Sequence, residues 1–201
     1  MTPASHDSQR RNRHLADLAA TLELAYDIGA RPMVVHPGPI DHPDADDDQV
    51  RRESVGYLSD FLSEAARTAN DTGAVVCVEN LPYADGQVIG SFVELVALIE
   101  TVDDPMVQIT LDIGHADLTE GLGPAFDTFG RHVRHIHIHD SDGARDHYEI
   151  GLAKLDFSQH LDRLSSYPYA MAMEIQDHKD PEGSVLRSRD RLKALLGHSA
   201  R

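Results

Sequence analysis

The sequence predicts a parallel α/β architecture, and three observations carry that prediction. Short β-rich runs alternate with helical stretches along the chain, the pattern of βα units assembled into a parallel sheet. The run Val75-Val76-Cys77-Val78 is apolar without alternation, as expected of a strand buried on both faces. The β runs end in ionisable residues, namely His36, Glu79, Asp112, the His135/His137/His139 set and Glu174. Charges are costly to bury without partners. In parallel sheets and barrels, ligands bind at the C-terminal strand ends, so these side chains are expected to converge on one mouth.

Residues 10–28 place Leu15, Leu18, Ala19, Leu22 and Tyr26 on one helical face, with Gly29 as the stop. Met33 to His36 is the first strand, broken by Pro37 and Gly38. Residues 41–48 hold five aspartates and Pro43 and read as a solvated loop. Residues 50–70 are helical, with Val55, Leu58, Phe61, Leu62, Ala65, Ala66 and Ala69 in register. Val75 to Glu79 is the second strand, and Ser91 caps a helix carrying Phe92, Leu95, Val96 and Ile99. Gln108 to Asp112 is the third strand, followed by a short helix near 122–131. Val133 to His139 is the fourth, with a helix over 156–164 after it. Tyr169 to Ile175 is the fifth, and a last helix covers 183–196.

The chain has 201 residues, 34 acidic and 18 basic, and a formal charge of -16. That length predicts one domain over residues 1–201, with a core that needs no disulfide or metal staple. Cys77 is the single cysteine, which excludes an internal disulfide framework and a cysteine-rich zinc module; it reads as a buried free thiol. No apolar run approaches the ~20 residues of a membrane span. MTPASHDSQRRNRH lacks the apolar segment of a signal peptide, so a cytoplasmic protein without a membrane partner is expected. The charge argues against nucleic acid, whose binders present a basic face. Three lysines stand against 15 arginines and 24 aspartates, a balance that fits a salt-adapted interior or a high-GC genome.

Glu, Asp, His and Glu at successive strand ends supply ligands suited to Mn²⁺, Mg²⁺, Zn²⁺ or Fe²⁺. Taken singly, such a carboxylate is ordinarily a cap or an ion-pair member, and such a histidine a hydrogen-bonded core residue. Taken together they point to a metal site. His135, His137 and His139 share one face by strand alternation, and spacing alone does not choose among them. His14, His132, His160, His178 and His198 read as solvated, and His6 and His42 as members of mobile polar segments.

The segments MVVHPG (33–38), VCVENLP (77–82), LDIGHA (111–116), HIHIHDSDG (135–143) and MAMEI (171–175) occur in an order that resembles the sugar-phosphate isomerase/epimerase superfamily. That superfamily has a xylose isomerase-like (β/α)8 barrel. It includes type-four apurinic endonucleases, inosose dehydratases, hydroxypyruvate isomerases and ketose 3-epimerases. The resemblance covers about residues 10–196. It implies that Glu79, Asp112, His137 and Glu174 hold a divalent metal (Mn²⁺, Mg²⁺ or Zn²⁺) and that Glu79 and Glu174 are also catalytic. His36, His115 and His147 match positions that contact substrate in the sugar enzymes and hold further zinc in the endonucleases. Asp140, three residues after His137, orients a ligand or loop from behind the ligand set, or is an exposed turn carboxylate.

The family barrel has eight strands, and five are legible here. The resemblance makes them strands four to eight of a partial TIM barrel, with the first three missing. Roughly 65 residues of a usual member are then unaccounted for at the N-terminus, at 30–40 residues per βα unit. A start further upstream, a partner chain or homo-oligomer, or an incomplete barrel are the alternatives. Two departures bear on the site. The endonucleases place an Asp two residues before the His matching His147, where this chain has Arg145, with Asp146 adjacent instead. Neighbouring side chains point differently, which argues against a third zinc site. The family's Gly-x-Gly is Gly151-Leu152-Ala153 here, which bears on the loop's shape.

The function expected from the resemblance is a divalent-metal-dependent sugar or sugar-phosphate isomerase or epimerase. It would abstract a proton next to a carbonyl and pass through an enediolate that the metal stabilises as a Lewis acid. The alternatives are a metal-dependent dehydratase of the inosose type, an apurinic endonuclease-like phosphodiesterase, and an inactive barrel fragment.

Overall fold

A computed structural model describes residues 1–199. Helix α1 spans Ser8–Ile28, β1 Pro32–Val35, α2 Asp48–Thr72, β2 Val75–Glu79, α3 Phe92–Val102, β3 Val107–Asp112, α4 Ile113–Asp117, α5 Leu122–Phe129, β4 Val133–Ile138, α6 Leu161–Ser165, β5 Met171–Met173 and α7 Pro181–Ser199. The strands form one parallel sheet in the order β1-β2-β3-β4-β5. This is a half-barrel built from βα units, as the alternation predicts.

Local chemistry explains most boundaries. The Asp7 carboxylate accepts from Gln9 N and Arg10 N and starts α1; Asp47 does the same for α2 through Gln49 N and Val50 N. The expected Ser91 cap accepts from Glu94 N at the start of α3. Gly29 stops α1 in the left-handed region (φ 74°), where a Cβ would be strained. The core lies between sheet and helices. It includes Leu18 and Leu22 of α1, Leu58, Phe61 and Leu62 of α2, Phe92 and Leu95 of α3, and Leu111 and Ile136 of the sheet.

Burial separates the sheet's centre from its edges. Every residue of β2 is buried, as its unbroken apolar run predicts. The edge strands β1 and β5 are mostly half-buried. Cys77 is a buried free thiol, and burial pushes it up to about 12, which keeps it protonated and inert.

Several expectations are corrected. The buried stripe of α1 is Leu18, Leu22 and Ala25; Tyr26, one residue further round, is 62% exposed. Helix α4 was not foreseen, because its five residues are too short to show a period. The helix expected over 156–164 is a 3-10 turn at Phe157–His160 running into α6. Strand β5 ends at Met173, so Glu174 lies just beyond it. His6 does not sit in a mobile segment. Its Nε2 is 3.0 Å from Ser54 Oγ, and its ring packs against His42 and edge-on to Tyr57. His14 is also engaged, accepting from Thr2 N at 3.1 Å. The side chain of His198 lies outside the described residues. Within the aspartate run, Asp41 accepts from Ser5 Oγ and pairs with Arg10, tying the N-terminal segment to the loop after β1.

Candidate metal centre

Sheet register brings the strand ends together. Asp112 pairs with His137 across β3 and β4, Val35 with Val78, and Ile138 with Met173. His36, Glu79, Asp112, His137 and Glu174 therefore end neighbouring strands on one rim. One ligand atom from each of Glu79, Asp112, His137 and Glu174 lies within 4.8 Å of the others. Glu79, Asp112 and His137 are buried, whereas the Glu174 side chain is 47% exposed.

Three carboxylates share one ring nitrogen. His137 Nδ1 lies 2.8 Å from Glu174 Oε2, 3.1 Å from Glu79 Oε1 and 3.6 Å from Asp112 Oδ2. One N–H serves one acceptor well, so the remaining negative charge calls for a cation. Glu79 Oε2 is buried without a hydrogen bond, although His36 Nε2 lies 2.9 Å away outside hydrogen-bonding alignment. A buried carboxylate oxygen without an aligned hydrogen-bond donor is costly, and with this donor set it fits a divalent ion held by oxygen and imidazole.

The electrostatics follow from these contacts. Burial opposes ionisation of Glu79, but His115, His137 and His36 overcome it and hold the carboxyl far below the usual range. Burial also acts against Asp112, which His137 and His139 bring to about 2. The His137 ring is disfavoured as a cation by burial, yet Asp112 and Glu79 raise it to about 10. His115 is raised to about 9 against burial by Glu79 and Asp112, and His36 is raised by Glu79. The carboxylates thus stay ionised, and the charge facing them is shared by histidines that a bound cation would relieve.

His115, Asp146 and His147 form a second group with metal-compatible spacing. This corrects the expectation that Asp146 and His147 point apart. His147 adopts the left-handed region (φ 60°), uncommon for a residue with a Cβ, and the turn removes the extended alternation that would separate neighbouring side chains. Asp146 Oδ2 is 3.4 Å from His115 Nε2, and its Oδ1 is 3.7 Å from His147 Nε2. The outer nitrogens are tied to carbonyls, His115 Nδ1 to Asn80 O at 3.0 Å and His147 Nδ1 to Glu174 O at 2.9 Å. Carbonyls only accept, so both rings carry a proton on Nδ1 and turn Nε2 to Asp146.

Asp140 is not an exposed turn carboxylate. It is 1% exposed, and it accepts from Ser141 N, Gly151 N, Ala153 N and Leu155 N at 2.8–3.1 Å. It shapes the loop after β4. Ala153, standing for the family's second glycine, is not among the residues with positive φ and still supplies its N–H. Two further residues were given no role of their own by sequence reasoning. Asn80 clamps the main chain of Asp112, donating to its carbonyl at 3.0 Å and accepting from its N–H at 2.8 Å. His139 is fully buried against the Asp112 carboxylate. The signals for them were present as the Asn following Glu79 and the third histidine of the set. His135 turns elsewhere, its Nδ1 3.1 Å from Ala170 O.

The xylose isomerase-like TIM barrel family matches residues 1–195, and the chain belongs to it. An uncharacterized protein of Methanocaldococcus jannaschii is 29% identical over 202 residues, covering 98% of this chain and 67% of that protein. D-psicose 3-epimerase of Agrobacterium fabrum is 30% identical over 113 residues, 53% of this chain and 37% of that enzyme. The crystal structure of a D-tagatose 3-epimerase-like protein superposes with a TM-score of 0.85 and 25% identity, over 100% of this chain and 76% of that one. No helix among the described residues is long and apolar enough to cross a membrane.

Proposed function

We propose that this member of the xylose isomerase-like family is a divalent-metal-dependent isomerase or epimerase of a small ketose or its phosphate. The observation that carries the reading is the convergence of Glu79, Asp112, His137 and Glu174 on one point at the strand ends. The names of the similar epimerases support the substrate class. Glu79, Asp112, His137 and Glu174 would hold the ion. When bound, a divalent metal supplies Lewis-acid polarisation of a carbonyl and its neighbouring hydroxyl. We place the five strands as the fourth to eighth of the family's eight, with β1 carrying the His36 position.

The two catalytic carboxylates differ in ways that suit two roles. Glu174 is half-exposed and touches His137 through one oxygen. We assign it the removal of the proton next to the carbonyl, giving an enediolate. Glu79 is buried and braced by three histidines. It orients the substrate and, in an epimerisation, passes to the opposite face a proton drawn from His36, whose Nε2 lies 2.9 Å from its Oε2. Asp112 has no free role in proton transfer, since both its oxygens are engaged. His36, exposed at the rim, and His115 and His147 contact substrate oxygens. Loss of a β-hydroxyl from the same enediolate is the dehydratase variant.

The test incubates the protein and Mn²⁺ with D-psicose, D-tagatose and ketose phosphates in D₂O. Deuterium appearing at the carbon next to the carbonyl supports the reading, and its absence from every substrate overturns it. A phosphodiesterase reading is favoured by one observation, the His115–Asp146–His147 group. The charge of -16 weighs against a DNA substrate. Nicking of abasic DNA without isotope exchange would select it.

A further inference from the structure

We propose that His139 is a positioning residue that locks the Asp112 carboxylate and joins it to the loop after β4. The inference rests on the metal-centre reading above. His139 is fully buried, and its two nitrogens have different partners. Nδ1 lies 2.8 Å from the backbone nitrogen of His147, which can only donate. Nδ1 therefore accepts, and a donation from Nδ1 to the Asp140 carbonyl, at the longer 3.4 Å, is excluded. The proton sits on Nε2, which lies 3.0 Å from both Asp112 Oδ1 and Oδ2. Asp112 Oδ1 also accepts from His115 N at 2.8 Å. The carboxylate is thus held from behind, and Oδ2 stays turned toward His137.

The packing supports the assignment. The ring stacks on His147, with centroids 4.3 Å apart and planes 25° apart. Gly114 makes room for it, because a Cβ there would run into the imidazole, with Nδ1 at 2.6 Å. The side chain thereby spans from a ligand of the candidate centre to the backbone of the left-handed residue His147. It ties the loop to Asp112 and is not one of the four residues whose ligand atoms converge. Residues behind a ligand typically change metal affinity 10–100-fold when altered.

The experiment titrates Mn²⁺ alone into wild type, Glu79→Gln, His139→Gln, His139→Asn and His139→Leu, reading free Mn²⁺ by electron paramagnetic resonance. A glutamine amide can replace the Nε2 donor, and an asparagine oxygen can replace the Nδ1 acceptor. The expected result is His139→Gln within about threefold of wild type, with His139→Asn and His139→Leu weakened about 10–100-fold. A merely structural role, serving the loop, predicts the reverse order of Gln and Asn and overturns the proposal, as does equal affinity in all three. Wild type that binds no Mn²⁺, or Glu79→Gln that binds as wild type does, overturns the metal-centre reading and this role with it. If the His139 variants do not fold, ring ¹⁵N shifts of wild type decide. A proton on Nε2 alone supports the proposal, and one on Nδ1 overturns it.

Discussion

The strand ends and the loop after β4 build one site by different physics. Glu79 and Asp112 end strands that are paired on both sides, so the backbone ladder aims their side chains before any polar contact forms. Residues 139–155 have only an isolated antiparallel bridge, between Asp140 and Tyr148. Their shape depends on the four amides gathered by Asp140 and on the buried ring of His139. Where strands pair, backbone groups satisfy one another; where they do not, buried side chains must do it. Part of the site is therefore robust to changes in surface side chains, and part hangs on single buried residues.

The largest break of the comparison is chemical. Glu174→Gln should lower kcat on a ketose by about 10²–10⁴-fold, the range of a general base, with an unchanged melting temperature in the absence of metal. A rate within a few-fold of wild type would remove Glu174 from its role. On the loop side, Asp140→Ala should cost about 3 kcal/mol, since hydrogen bonds to a charged group contribute roughly 1.5–3 kcal/mol each and some freed amides regain water. Urea unfolding checks this, and a cost below about 1 kcal/mol would place the loop's order elsewhere.

On the strand side, Mn²⁺ at a hundred times its dissociation constant should stabilise the chain by about 2.7 kcal/mol. That gain should vanish in Glu79→Gln, and a calorimetric melt with and without metal reads both. The smallest effect is at the loop's far anchor, where buried Glu149 receives Arg187 and Arg191 from α7 at 2.6–2.9 Å. Both guanidinium groups are about half-exposed. Glu149→Gln should therefore cost about 1 kcal/mol, and less at high salt. A cost that salt leaves unchanged would mark the pair as effectively buried.

Much of this was legible residue by residue. Strand β2 and the Ser91 cap were read at their observed positions, because an apolar run and a capping hydroxyl act locally. The half-exposure of β1 and β5 agrees with strands paired on one side only. Other readings failed for nonlocal reasons. Asp140 looked like a turn residue because its four partners lie 1, 11, 13 and 15 positions away. Asp146 and His147 looked divergent because nothing in their identities announces the left-handed backbone at His147.

The amino-acid sequence by itself determined the parallel α/β order and the set of ionisable residues at the strand ends. Periodicity, caps and apolar runs are properties of short segments, and they survive without knowledge of neighbours. Only the tertiary structure decided which of three same-face histidines meets the carboxylates, which one turns behind Asp112, and that a second cluster assembles beside the first. Those outcomes depend on register between strands and on a loop folded around buried polar atoms. A histidine's role follows from which partner each ring nitrogen finds, and those partners lie far away along the chain.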